Sequence, residues 1–224
     1  MPGFLFMPTA EAKIEQFIKS IPLDKVEQYS QYWKTITPTT HEDYYKRWQF
    51  AFLSVHTTWK TNVKAYVQLT TDKPPTTKEI LLQQIKVSGT GLNKMRTEGL
   101  WKFKNDFWSD PSEWYRKKDE AWVDCRERLM ERCHGLGYAK TSFALELCYP
   151  VECGVTCLDT HMLQLYGVKS SPVPSPNKYK ELEKHWMSVC QEHKIPAFMV
   201  RNVYWDKVQE QQDTRYWSYV FENP

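Results

Sequence analysis

The chain has 224 residues, enough for one compact domain or two small lobes with a real hydrophobic core. Its 30 Lys and Arg against 27 Asp and Glu give a net charge of +3, a balance that permits nucleic-acid binding without requiring it. No apolar run approaches the roughly 20 residues of a membrane span, and the N-terminal stretch lacks the basic start of a signal peptide. We therefore expect an intracellular protein with no membrane partner.

The six cysteines contain no Cys-x-x-Cys pair. In an intracellular protein this pattern predicts reduced thiols. Cys148, Cys153 and Cys157 are clustered, but zinc sites usually combine tighter cysteine pairs or nearby histidines. No metal ligand is therefore assigned.

Hydrophobic periodicity of the helical kind dominates the chain, and β-type alternation is scarce. Thr9 and Pro22 mark the starts of the first two helices, and Thr39 with Glu42 has the spacing of a capping box for the third. The third helix is apolar on all sides, which predicts a central position. We expect an all-α fold, with helices over residues 9–20, 23–36, 39–56, 60–69, 77–87, 92–108, within 112–133, over 139–148, from 159, and over 177–192 and 196–211.

A Gly-Leu-Gly turn, at residues 135–137, lies between two of these predicted helices. One interpretation is structural: a helix C-cap followed by a close-packing residue. The other is an anion site, because such a turn admits a phosphate to the backbone and the next helix begins with free N–H groups at its positive end. A similar Gly-x-Gly-x-x-Lys pattern at residues 89–94 could form a pseudo-symmetric partner. The candidate phosphate site comprises Gly135, Leu136, Gly137, Tyr138, Ala139, Lys140 and Thr141.

About twenty residues after the glycine turn, Asp159 precedes a short helical pattern. The simplest interpretation is an N-cap, since Asp is a favoured capping residue. A capping carboxylate is also held rigidly at a positive helix end, which suits it to stabilise a cationic sugar or to activate a water molecule. His161 is expected to be mainly a structural neighbour, with contact to a substrate as the alternative.

The stretch from Cys133 to Gly167 resembles the helix-hairpin-helix and catalytic-Asp segment of DNA base-excision glycosylases, the endonuclease-III-like superfamily. The glycine turn matches the hairpin, and Leu158-Asp159-Thr160-His161 matches a (Val/Leu)-Asp-Thr-His segment. Weaker similarities at 52–58 and 89–96 extend the resemblance over roughly residues 45–210.

The resemblance implies that Asp159 assists cleavage of the N-glycosidic bond of a flipped nucleotide, while residues 135–141 hold a DNA phosphate. It places His56, where the superfamily often has Gln, near the gap left by the flipped base. It also implies two helical lobes with a DNA cleft between them. Residues 38–166 would form a six-helix, barrel-like lobe containing the hairpin, and residues 1–37 with 167–224 a second lobe built from both termini.

The sequence departs from the superfamily pattern in two places. Where lyase members carry a nucleophilic lysine, two residues after the second hairpin glycine, this chain has Ala139. Lys140 follows one residue later, about 100° around the helix, which argues against a Schiff-base role and leaves phosphate binding open. Only Cys190 lies beyond Cys157, so the C-terminal four-cysteine motif of many relatives is missing, and neither an iron–sulfur cluster nor another cofactor is expected.

These features predict a monofunctional DNA glycosylase that acts as a monomer on double-stranded DNA containing a modified base. Two alternatives stay open: a DNA base hypermodification enzyme on the same scaffold, as occurs in viruses, and a non-catalytic helix-hairpin-helix module. The Trp-rich sequence would fit a viral protein acting inside a host cell. The sequence does not identify the base, because pocket residues come from several distant helices.

Overall fold

In a computed structural model of the chain, residues 9–71, 74–169 and 171–208 are described. These residues form eleven α-helices and one short 3-10 helix at Pro111–Trp114, and they contain no β-strand. The predicted all-α fold is confirmed. The helices are α1 (Ala10–Lys19), α2 (Leu23–Thr35), α3 (His41–Leu53), α4 (Trp59–Thr71), α5 (Lys78–Ser88), α6 (Asn93–Ser109), α7 (Trp122–Arg132), α8 (Tyr138–Cys148), α9 (Thr160–Leu165), α10 (Pro176–Glu192) and α11 (Ala197–Val208).

The capping box of α3 lies one residue later than predicted. The Thr40 side chain accepts a hydrogen bond from the Asp43 N–H, and the Asp43 carboxylate accepts one from the Thr40 N–H. The prediction of Thr39 with Glu42 was therefore wrong. Two threonines, at 39 and 40, are followed three residues later by two acidic residues, at 42 and 43. The spacing is the same for both pairs, so it could not show which pair forms the capping box.

Helix α3 is the central helix, as its all-round apolar pattern predicted. Every residue from Arg47 to Leu53 is buried, and α3 packs against α4, α6 and α8. Trp48 makes an edge-to-face contact with Trp114, with 5.1 Å between the ring centroids. Such large aromatic side chains account for much of the apolar surface that the core buries.

The helices from the two ends of the chain pack on one another. Helix α1 contacts α10, α2 contacts α11, and α10 contacts α11. Trp33 of α2 and Phe198 of α11 meet edge to face at 4.9 Å. The last predicted helical residues, 209–211, lie outside the described residues, as do Tyr216, Trp217 and Tyr219.

The two Gly-x-Gly turns join helices but differ in backbone conformation. In the turn between α5 and α6, both Gly91 (φ 72°) and the following Leu92 (φ 48°) are left-handed. In the turn between α7 and α8, Gly135 is left-handed (φ 89°), whereas Gly137 is extended (φ −102°). The repeat of the sequence pattern is therefore not a repeat of the turn geometry.

Among the described helices, none is both long enough and apolar enough to span a bilayer.

Candidate nucleic-acid interface and active site

Helices α7 and α8 pack together and form the two arms of the predicted hairpin. Gly135 supplies the left-handed residue that the tight turn needs, and Gly137 is the N-cap of α8. A Cβ atom added at Gly137 would meet no other atom within 4 Å, so the space in front of the helix N-terminus is open. The first N–H groups of α8 have no acceptor within the helix, which gives this open space the character of an anion site.

Two residues of the predicted phosphate site are buried and have partners for their backbone N–H groups within the protein. Thr141 is fully buried, and its N–H donates to the Gly137 carbonyl at 3.0 Å. Leu136 is buried, and its N–H donates to the Cys133 carbonyl. The Thr141 N–H thus belongs to the first closed turn of α8, and Leu136 anchors the hairpin in the core. Their contacts with a phosphate stay predictions.

Asp159 is the N-cap of α9, as its place before the helical pattern predicted. Its Oδ1 accepts hydrogen bonds from the N–H groups of His161 at 3.0 Å and Met162 at 3.2 Å. Its Oδ2 accepts a hydrogen bond from the indole Nε1–H of Trp205, at 3.0 Å. Three donors from two helices therefore fix the orientation of the carboxylate.

The non-helical segment that leads to Asp159, residues 155–158, is held by buried polar side chains. Tyr179 donates to the Thr156 carbonyl and accepts from the Leu158 N–H. Glu183 accepts from the Thr156 N–H, and Glu146 accepts from the Thr156 hydroxyl and the Cys157 N–H. The backbone of Thr156, Cys157 and Leu158 is thus bonded to side chains buried in the core of the protein.

The two carboxylates in this network have buried arginine partners. Glu146 pairs with Arg201, with 2.6 Å between Oε2 and Nη2, and Glu183 pairs with Arg126. Burial raises the pKa of both carboxyl groups, while each arginine opposes the shift. The pairs link α8 to α11 and α7 to α10.

Asp159 lies where two adjoining cavities meet. The first, which we call the inner cavity, has a volume of about 70 Å³, and the residues that line it alone are Thr58, Trp59, Asn62, Phe143, Cys157 and Arg201. The second, the outer groove, has a volume of about 590 Å³ and extends along the hairpin turn and α9. Both are lined by Ser54, Thr57, Lys140, Asp159 and Trp205.

Lys140 lines both cavities together with Asp159. Its ammonium group lies 5.5 Å from the centroid of the Phe143 ring, one turn further along α8. The side chain therefore runs along the helix into the inner cavity. Although Lys140 lies about 100° around the helix from Ala139, both residues line the outer groove together with Asp159.

His56 lies in the outer groove, in the turn between α3 and α4, and has a left-handed backbone (φ 47°). Arg96, which is 3% exposed, holds this turn in place. Its guanidinium donates to the carbonyls of Phe52, Leu53 and Val55, and also to those of Thr90 and Gly91 in the neighbouring glycine turn. One buried side chain thus ties together the two segments that resembled the superfamily only weakly.

The structure brings most of the predicted residues to one place. Gly135, Gly137, Tyr138, Ala139, Lys140, His56, Asp159 and His161 all line the outer groove. The ring of His161 also contacts Trp205 edge to face at 4.9 Å.

Sequence reasoning missed four residues of this region: Asn62, Arg96, Arg201 and Trp205. Arg96, Arg201 and Trp205 bond residues that are distant in the chain, and Asn62 is placed by the packing of α4 beside the cavity.

All six cysteines are free and buried, and burial raises the pKa of the Cys157 thiol to about 12. Across the part of the chain that the structure describes, no group of three or more His, Cys, Asp or Glu side chains is placed to hold a metal ion.

No protein-family model matches the chain, and no curated protein matches it in sequence. Solved structures do match. The 8-oxoguanine DNA glycosylase of Thermotoga maritima superposes with a TM-score of 0.74 at 15% identity, over 91% of this chain and 100% of that chain. This chain has a DNA glycosylase fold.

Two structures of the Methanocaldococcus jannaschii 8-oxoguanine DNA glycosylase have the same fold, each with a TM-score of 0.69 at 19% identity over 90% of this chain. The matches extend over 94% of the first of these chains and 97% of the second. The second structure is of the glycosylase/lyase in complex with a 15mer DNA containing 8-oxoguanine. The resemblance predicted from the sequence is confirmed at the level of the fold.

Proposed function

We propose that the protein is a DNA glycosylase that flips a modified base out of double-stranded DNA and cleaves its N-glycosidic bond with the assistance of Asp159. The observation that carries the proposal is the position of this carboxylate, at the junction of an aromatic-lined inner cavity and an open groove. A base that enters the inner cavity would leave its sugar at that junction, beside the carboxylate. Enzymes that act on a base within a duplex need this arrangement, because the reacting atoms are otherwise hidden in the stack.

In this proposal the DNA lies along the outer groove. The first N–H groups of α8, at Tyr138, Ala139 and Lys140, bind a backbone phosphate, with Gly135 and Gly137 giving the strand access. His56 faces the duplex at the place that the base has left. The fixed Asp159 carboxylate stabilises positive charge on the sugar as the bond to the base breaks, and it can orient the attacking water.

We further propose that the cleft lies between two lobes, residues 38–166 and the combined terminal segments. The contacts of α1 and α2 with α10 and α11 support this division. So does the composition of the inner cavity, which takes Asn62 and Lys140 from one lobe and Arg201 and Trp205 from the other. The protein would act as a monomer on intracellular DNA.

The similar structures direct the choice of substrate. Because they are 8-oxoguanine DNA glycosylases, 8-oxoguanine is the first base to test in this chain. A panel of duplexes that also carry uracil, alkylated bases and hydroxymethylated bases, scored for abasic sites, would define the range.

Asp159→Asn is the direct test of the proposal. The amide can still cap α9 but carries no negative charge, so base release should fall by at least about 100-fold while duplex affinity changes little. Single-turnover release and a binding titration measure the two quantities, and a melting curve checks the fold. Undiminished base release by the variant would contradict the role of Asp159. With the wild-type protein, transfer of a group to the base without base loss would favour the hypermodification alternative, and binding of every duplex without any reaction would favour the non-catalytic module.

Lyase activity is a second candidate function, and the placement of Lys140 in the cavity that contains Asp159 favours it. The expectation from Ala139 is base release without strand cleavage. If Lys140 is instead a nucleophile, its amine attacks C1′ as the base departs, and borohydride reduces the resulting iminium to a stable protein–DNA adduct. We expect no adduct with the wild-type protein. An adduct that is lost in Lys140→Met would overturn the monofunctional assignment.

A further inference from the structure

Asn62 occupies the wall of the inner cavity and has no role in the proposed chemistry. It lies in the first turn of α4, where its backbone N–H donates to the Thr58 carbonyl at 2.9 Å. The residue is 2% exposed, and its side chain lines the cavity. Within the described part of the chain, its Oδ1 atom accepts no hydrogen bond.

A buried carbonyl oxygen without a donor is unfavourable, and most such groups in folded proteins are paired. No side chain that lines the inner cavity, Thr58 and Lys140 included, donates a hydrogen bond to this oxygen. Trp59 and Phe143 present aromatic surface, and the Arg201 guanidinium is directed to Glu146 by the ion pair and a hydrogen bond at 3.2 Å. The Oδ1 atom of Asn62 is therefore an acceptor placed for a ligand that brings its own donor.

We propose that Asn62 is a specificity-determining residue that accepts, through Oδ1, a hydrogen bond from a ring N–H of the flipped base. The inference rests on the proposed glycosylase function and narrows its substrate class. It favours bases whose inserted edge carries a lactam or imide N–H over bases with a nitrogen lone pair at that edge. Oxidation and deamination of the normal bases both produce such N–H groups, so the acceptor would distinguish these lesions from the parent base.

The first experiment removes the acceptor. Asn62→Leu keeps the approximate volume of the side chain without its oxygen, and we expect single-turnover release of the wild-type substrate base to fall by roughly 10- to 100-fold. The affinity for duplex DNA without a modified base should not change. Asn93→Leu is the matched control, because the Oδ1 of Asn93 is also buried with no partner among the described residues, and Asn93 lines neither cavity. That variant should release the base at the wild-type rate.

The second experiment tests direct contact. Each ring N–H of the released base is replaced in turn by N-methyl, which removes the donor and adds bulk. The wild-type protein should reject the analogue that is methylated at the contacting nitrogen. Asn62→Ala opens space at the same point, so it should release this analogue faster than the wild-type protein does while it releases the unmodified base more slowly. Such an inversion at a single ring position is not expected from a general loss of stability.

Melting curves of Asn62→Leu and Asn62→Ala verify that both variants fold. Either variant can overturn the proposed role of Asn62 without the other. The inference fails if the wild-type protein releases a base but Asn62→Leu releases it equally fast. It also fails if Asn62→Ala shows no inversion at any ring position. If the wild-type protein releases no base from any duplex of the panel, the proposed function itself is wrong.

Discussion

At the scale of single residues, the decisive contact is the hydrogen bond from the Trp205 indole to Asp159. The cap bonds to Oδ1 come from α9 itself, so they follow from the local sequence. The bond to Oδ2 comes from a residue 46 positions away in the chain, and it reaches the oxygen that the cap leaves open. Trp205 therefore positions the carboxylate in a way that the motif around Asp159 does not reveal.

Trp205→Phe removes the N–H donor and keeps most of the aromatic ring. We expect base release to slow by about tenfold, since a hydrogen bond to a charged group contributes roughly 1.5–3 kcal/mol and part of this is recovered from water. Binding of duplex DNA should change little. Trp108→Phe, an exposed position on α6, is the control and should have no effect. Equal rates for the two variants, measured under single-turnover conditions, would show that the indole bond is not needed to position Asp159.

At the scale of elements, the loops around the candidate site are held by buried side chains rather than by secondary structure. Arg96 bonds carbonyl groups at the end of α3 and in the glycine turn before α6, and burial lowers the pKa of its guanidinium. These bonds satisfy carbonyls that a helix end leaves unpaired. They also maintain the left-handed turn that presents His56 to the outer groove, a conformation that a histidine adopts only at a cost.

Arg96→Lys keeps the positive charge but loses the planar set of donors that reaches both turns. We expect a loss of about 2–3 kcal/mol in the free energy of unfolding, because several buried carbonyls lose their partners. DNA affinity should also fall, since the His56 turn is released. In Arg132→Lys, a partly exposed arginine paired with Asp106 and Glu113, the change should stay below about 1 kcal/mol. Similar losses in the two variants, measured by urea denaturation, would contradict the role of Arg96.

The sequence was most informative where a feature depends on near neighbours. The caps at Thr9, Thr77 and Asp159 each bond a backbone N–H no more than three residues later, so the start of the helix depends on the local sequence. Those three helices begin where the sequence pattern predicted them. The direction of Lys140 was harder to predict, because a long side chain can turn along its helix and enter a cavity that its Cα does not face. Arg96 and Trp205 act through tertiary contacts, and Asn62 reaches the inner cavity only through the packing of its helix, so the packed structure is needed to show their positions.

At the scale of the whole molecule, two buried ion pairs connect the hairpin helices to the terminal helices. Arg126 of α7 meets Glu183 of α10, and Arg201 of α11 meets Glu146 of α8. Both carboxylates also bond the segment before Asp159, so the contact between the groups of helices and the position of the carboxylate depend on the same residues. A buried pair need not stabilise a protein more than apolar packing would, but the loss of one partner is costly.

Glu146→Gln and Glu183→Gln should therefore each lower the free energy of unfolding by about 3–5 kcal/mol, because each leaves a buried arginine without its counter-charge. Their effects on base release should differ. Arg201 lines the inner cavity and Arg126 does not, so only Glu146→Gln frees a cationic side chain to move within the space that the base would enter. With stability measured by urea denaturation and base release under conditions where both variants are folded, Glu146→Gln should be the slower enzyme. Equal rates would mean that the two pairs serve the stability of the fold alone.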